Sequence, residues 1–334
     1  MLPGDESHAS PICANGQIYL QTSGRLYCLG TGSAGEAAAN SAAVADGEVA
    51  LTDMTPDHLQ IVPCELLLKP GDTQTFEVRL YNKLGQFLKK SEAEFSVDEP
   101  LTFSGSEMSI PGDATHLAAN ITAKAEGLTG SARVRVVPPL PWKFDFEDIA
   151  VSPKTKKGEP PITWVGCRYR HVIREVDGNK VMVKITTIPK GTRSRCWFGH
   201  PALHDYTIQA DVRGSSADGR MPDIGLTAQG YALDLQGANQ ALQIRSWVPQ
   251  LRMASTVDYE WKADTWYTMK LKAETSSGKV NLYGKIWEKG QAEPDGWTVQ
   301  AEDLSPNLTG SPGLFGNAKD AELFLDNISV YANE

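Results

Sequence analysis

Polar and apolar side chains alternate with a period of two through most of the carboxy-terminal part of the chain. The segments YTIQADVR, DIGLTAQ, YALDLQG, ALQIRSWV, WYTMKLKAE, VNLYGKIWE and AELFLDNISVY all read this way. Such alternation places successive side chains on opposite faces of a strand, and no stretch carries the period of a helix. Antiparallel strands over residues 139–334, opening with FDFED and closing with LFLDNISVY, predict a two-sheet jelly roll whose first and last strands lie together. Along three successive strands Ile224, Leu226, Tyr231, Leu233, Leu235, Leu242 and Ile244 share one face, which is therefore core. Thr227, Gln229, Asp234, Gln236, Gln243, Arg245 and Trp247 share the other.

Upstream, residues 55–138 change rhythm to shorter strands separated by frequent turns, the pattern of a β-sandwich. Phe76, Val78 and Leu80 in TQTFEVRLYN point one way after the Pro70-Gly71-Asp72 turn, and EFSV, NITAKAEG and SARVRVV continue the series. The proline-rich VVPPLPW forms a stiff joint to the jelly roll. At the amino terminus, SPICANGQIYLQTSGRLYCLG predicts three short strands, 10–14, 17–22 and 25–29, turning at Asn15-Gly16 and Ser23-Gly24. Residues 1–32 are thus most of a propeller blade, but a propeller needs about four to eight blades, and no second copy follows. Residues 33–54 read as an Ala/Gly-rich linker. Gly30, Gly32 and Gly35, with Asp53 downstream, spell a dinucleotide fingerprint. The following segment lacks the apolar helix face and the further βαβ units that such a site requires, so no nucleotide is expected.

Three resemblances attach to these stretches. LKPGDTQTFEVRLYNKLG and ITAKAEGLTGSARVRVVP resemble a bacterial immunoglobulin-like domain. The later strands resemble concanavalin-like and laminin G-like modules. DGNKVMVK, DYTIQADVRG, LQGANQALQIRSW, DTWYTMKLKAE and GSPGLFG are similar to the carboxy-terminal end of planctomycete-type propeller proteins with quinoprotein-like (PQQ-like) blades. In those proteins blades, an immunoglobulin-like domain and a jelly roll follow one another. The resemblance implies upstream blades absent from this sequence, a periplasmic or cell-surface location for the full-length protein, and no quinone in this part. It also implies a structural calcium where the terminal strands meet. Glu147 in FDFED and Asp326 in FLDN stand at matching points there. Two solvated acids, or acids paired with a nearby lysine, are the alternative.

Composition narrows the partners. The 334 residues carry a net charge of -9 with no Lys/Arg stripe, which argues against nucleic acid. No apolar run reaches the roughly 18 to 20 residues that span a bilayer, and the first residues, Met1-Leu2-Pro3-Gly4-Asp5, have no signal-peptide pattern. Five cysteines include no CxxC pair. Cys167 and Cys196 can pair as a disulfide or remain buried thiols. His200 and His204 have metal-pair spacing, but Pro201 points to a loop rather than the helix on which they would converge. No GxSxG elbow and no closely spaced acid pair on one strand appear; Glu260 with Asp264, and Glu302 with Asp303, read as solvated acids in turns. The polar sheet face holds amides, an acid, an arginine and a tryptophan. That mixture hydrogen-bonds sugar hydroxyls while a ring covers the apolar face of a pyranose. Trp247, Arg245, Gln243, Asp234 and Gln229 are the candidate ligand residues, in a non-catalytic module. The alternatives are a glycan hydrolase or lyase on the same fold, a scaffold for the propeller, or a plain solvated face.

Overall fold

The computed structural model describes residues 10–14, 17–22, 25–30, 51–185, 192–246, 251–318 and 320–333. The chain forms two compact units, Met1–Met54 and Thr55–Glu334. Every regular element among the described residues is a strand, so none of them forms a helix able to cross a membrane.

In the first unit β1 (Ile12–Ala14), β2 (Gln17–Gln21) and β3 (Leu26–Leu29) make the expected antiparallel meander. Ile12, Leu26 and Leu29 remain exposed, because three short strands have too little area to bury a face. Gly32, Gly35 and most of the 33–54 linker lie outside the described residues.

The second unit begins with a sandwich of ten strands: β4 (His58–Val62), β5 (Glu65–Leu68), β6 (Thr73–Thr75), β7 (Glu77–Tyr81), β8 (Phe87–Ser91), β9 (Glu94–Val97), β10 (Thr102–Ser104), β11 (Glu107–Ser109), β12 (Leu117–Ala125) and β13 (Leu128–Val136). They form sheets ordered β5-β13-β12-β9, β4-β7-β8 and β10-β11-β6. Phe76, Val78 and Leu80 are buried together with Ile61, Met108, Ile121 and Val134, as their alternation predicts.

The remaining strands build the larger sandwich: β14 (Trp142–Phe144), β15 (His171–Val176), β16 (Asn179–Lys184), β17 (Arg193–Trp197), β18 (Tyr206–Gly214), β19 (Asp223–Ala228), β20 (Tyr231–Gln236), β21 (Ala241–Ser246), β22 (Ala254–Asp258), β23 (Tyr267–Ser276), β24 (Lys279–Glu288), β25 (Val299–Asp303), β26 (Gly313–Asn317) and β27 (Leu323–Ala332). An eight-stranded sheet runs β15-β16-β27-β18-β23-β24-β25, with β14 also on β27, and a six-stranded sheet runs β17-β26-β19-β20-β21-β22. The first strand pairs with the last through Trp142↔Val330 and Phe144↔Ile328, the closure expected of a jelly roll. All seven apolar residues assigned to the inner face, from Ile224 to Ile244, are fully buried. The protein is all-β, and its last 190-odd residues are a jelly-roll sandwich.

One glycine shapes the outer face of the six-stranded sheet. Gly225 pairs with Phe315 on β26 and with Asp234 on β20, and a Cβ at this position would stand 1.7 Å from Phe315 Cε1. The ring therefore lies directly over the glycine backbone. Gly225→Ala is expected to expel the ring and lower stability by about 1–3 kcal/mol, the usual range for overpacking. Thermal melting checks this, and an unchanged melting temperature would mean that the ring has room to shift.

Candidate functional site on the six-stranded sheet

Across this sheet one row of outward residues reads Arg195, Phe315, Gly225, Asp234, Gln243, each directly opposite the next. The row borders a cavity of about 230 Å³ lined by Arg193, Arg195, Asp223, Asp234, Arg245 and Phe315, among others. Asp234 is only 5% exposed. Its Oδ2 accepts Arg245 Nη2 at 3.1 Å and Nε at 3.3 Å, while Oδ1 has no hydrogen-bond partner. Burial raises its pKa to about 6; Asp223 adds to the rise, and Arg245 opposes it. Asp223 is held differently, accepting Gly237 N at 3.0 Å and Asn317 Nδ2 at 3.2 Å. The Arg245 guanidinium lies 5.4 Å from the Phe315 ring centroid. Partial burial, then the charges of Arg193 and Arg245, hold Arg195 below the ordinary arginine value.

Beside this cavity lies an open groove of about 600 Å³ bordered by Trp197, Thr227, Asn307, Leu308 and Thr309. A buried network fixes its Asn307 wall. Tyr231 Oη accepts Asn307 N at 2.9 Å and donates to Asp303 Oδ2 at 2.9 Å. Arg252 Nη2 donates to the same Asp303 oxygen at 2.7 Å, and Asn307 Nδ2 donates to Gly230 O at 3.0 Å.

The structure brings Asp234, Gln243 and Arg245 onto one face, although Gln243 is turned toward β22, donating to Thr256 Oγ1 at 2.8 Å. Trp247 lies outside the described residues. Gln229 is a correction: it is fully buried. Its φ of 52° ends the strand alternation from which an outward side chain was expected. The amide accepts Asp205 N at 2.9 Å and donates to Thr275 Oγ1 and Asn307 O, each at 3.1 Å. It is an internal peg and no ligand contact. Asp303 is a second correction, since it ends strand β25 buried and ion-paired rather than solvated in a turn; Glu302 lies on the same strand.

Arg193, Arg195 and Trp197 are functional candidates missed in the sequence. They alternate with the buried Ser194 and Cys196, so the period of two in RSRCW was the available signal. His200 contacts Val137 O at 3.4 Å and His204 pairs with Asp205 at 2.7 Å, so the two do not converge. Cys167 and Cys196 are buried free thiols in contact with each other, and burial raises the Cys196 pKa strongly.

Near the terminal strands, Asp326 is buried. It accepts Asn179 Nδ2 at 2.7 Å and Asn327 N at 2.7 Å. The Glu147 carboxylate accepts Lys180 N at 2.9 Å, and the Lys289 ammonium stands 2.7 Å from the neighbouring Asp211. Calcium wants six to eight oxygen ligands, and N–H donors and an ammonium occupy this neighbourhood instead. The donor set does not fit that ion, and no group of three or more His, Cys, Asp or Glu among the described residues is disposed to hold a metal.

No family model and no curated protein matches the chain. Among solved structures it is similar to a glycoside hydrolase family protein from Mycobacterium thermorestibile, with 16% identity, 57% of this chain and 99% of that one covered, and a TM-score of 0.35. It is also similar to lectin II from Ulex europaeus, with 10% identity, coverage of 58% and 99%, and a TM-score of 0.37. A third is a protein of unknown function with a galectin-like fold from Bacillus subtilis, with 12% identity, coverage of 51% and 90%, and a TM-score of 0.33. These likenesses are distant, and function has to be read from the side chains.

Proposed function

We propose that the jelly roll is a carbohydrate-binding module whose site is the outer face of the six-stranded sheet around Asp234. The observation that carries this reading is the cavity itself. It gathers a buried carboxylate with an unused acceptor oxygen, guanidinium donors and an amide within about 230 Å³. Sugar hydroxyls need donors and acceptors at close quarters, set in a concave surface. Trp197, half-buried on the strand that also carries Arg195, supplies an aromatic face next to the polar groups. The exposed Ile12, Leu26 and Leu29 support a companion reading of the first unit as a blade whose partners are further blades. The module is tested by screening the full chain on an array of neutral and acidic oligosaccharides. Saturable binding that Trp197→Ala weakens at least about tenfold, with melting unchanged, is the expected result. Binding to no glycan, or binding indifferent to that substitution, would count against the site.

One observation favours a second reading as a glycan hydrolase. Asp223 and Asp234 line the same cavity from adjacent strands, and Asp234, raised to about 6 chiefly by burial, has the raised pKa of a general acid beside a second carboxylate. Release of reducing ends from a bound oligosaccharide would establish it; a bound oligosaccharide recovered intact would leave a binding module.

A further inference from the structure

A second cavity lies where the two sandwiches of the Thr55–Glu334 unit meet, beside the β17 edge of the six-stranded sheet. Its volume is about 520 Å³, within the range of roughly 300–1,000 Å³ typical of small-molecule sites. One wall is β13 of the smaller sandwich, which presents Arg133 and Arg135; the other is the 159–168 loop of the jelly roll. We propose that this cavity binds a small organic anion, an apolar body ending in a carboxylate or a comparable acid group. The proposal is independent of the glycan reading.

Three features carry it. The lining is apolar over much of its extent, and Ile162 and Val165 are left 73% and 47% exposed, so a ligand's body would cover surface that the fold itself does not. Three guanidiniums, Arg133, Arg135 and Arg168, line the space against a single acid among the described lining residues, Glu159. Such a charge balance, in a protein of net charge -9, selects an anion. Finally, the wall keeps donors in reserve. Arg135 Nε and Trp164 Nε1 are buried without an acceptor, although Arg135 Nη1 is held by Glu65. Both groups only donate, so the unmatched polarity of this wall favours a ligand that accepts.

The walls are also preorganised. Val165 and Trp197 exchange backbone hydrogen bonds at 2.8 and 2.9 Å, which pins the loop to β17. Gly166 takes a φ of 87°, and a Cβ there would fall 2.6 Å from Arg195 O, so the loop sits as close to the strand as a glycine allows.

The test titrates the full chain with anilinonaphthalene sulfonate, an apolar aromatic body bearing one anionic group. We expect saturable fluorescence enhancement that octanoate competes away and octanol, with a similar body and no charge, does not. The double variant Arg133→Ala/Arg168→Ala, at two exposed positions, should weaken binding at least about tenfold with the melting temperature unchanged. Absence of saturable binding, equal competition by octanol, or undiminished affinity in the double variant would each overturn the proposal.

Discussion

Asp234→Asn is expected to eliminate glycan binding and, at neutral pH, to raise rather than lower the melting temperature. The carboxyl moves from an ordinary 3.8 to about 6 on folding, chiefly through burial. Between those values the folded protein binds more protons at this site than the unfolded chain does. The group's contribution to stability therefore falls as pH rises through that window, and above pH 6 the ionised carboxylate is wholly adverse. A shift of about two units corresponds to about 3 kcal/mol. Asparagine keeps the shape and removes the charge. The gain is reduced by the lost bond to Arg245, whose side chain is 22% exposed and can rehydrate. The stability difference between variant and wild type should grow as pH rises from 3.8 to about 6 and level off above it, a comparison that cancels the opposite pull of the buried His116 and His171, whose lowered pKa values cost both proteins stability in mild acid. A variant less stable at neutral pH would show that the Arg245 pair outweighs the burial penalty, making Asp234 a structural anchor. A fold that keeps a charge where it destabilises, at the floor of a cavity, has the energetic mark of a binding site.

How much of this could be read beforehand follows from which interactions are local. Alternation from Ile224 to Ile244 fixed both faces of three strands joined by tight turns, so Asp234 and Arg245 were legible as neighbours on one surface. The other half of the cavity comes from β17 and β26, which pair with each other and set Arg195 opposite Phe315 from distant parts of the sequence. Local patterning cannot state that adjacency, because strand order in a jelly roll is set by crossovers between sheets. Gln229 failed for a different reason: its left-handed turn conformation turns a formally outward residue into the protein, where three hydrogen bonds hold it. Asp303 failed because its arginine partner lies on a separate segment. An acid reads as solvated until its cation is located.

That last pair supports the second large effect. Arg252→Ala is expected to destabilise the protein by about 3 kcal/mol, the lower part of the range for stripping a buried carboxylate of its cation. Burial by itself would raise the Asp303 pKa, but Arg252, Ser305 N and Tyr231 outweigh it and hold the group below its ordinary 3.8. A depressed folded pKa adds stability above the unfolded value and loses it as pH falls through the folded one, so the pair strengthens the fold at neutral pH and weakens in strong acid. Removing Arg252 leaves Asp303, 4% exposed, with only Tyr231 and Ser305 as donors. The variant should therefore lose most at neutral pH and least in strong acid, where the orphaned carboxylate takes up a proton. The loss also reaches the groove. Arg252 touches Asn307 Oδ1 at 3.3 Å and helps hold the oxygen to which Tyr231 donates, so the wall opposite Trp197 should loosen and glycan affinity fall with stability. Adding Asp303→Asn to Arg252→Ala removes the stranded charge and should recover a large part of the stability, while the groove wall keeps only its uncharged contacts. The four melting temperatures of that cycle give the coupling energy. A coupling near zero would show that the ion pair does not hold the wall, and that the Tyr231 and Gln229 bonds to Asn307 suffice.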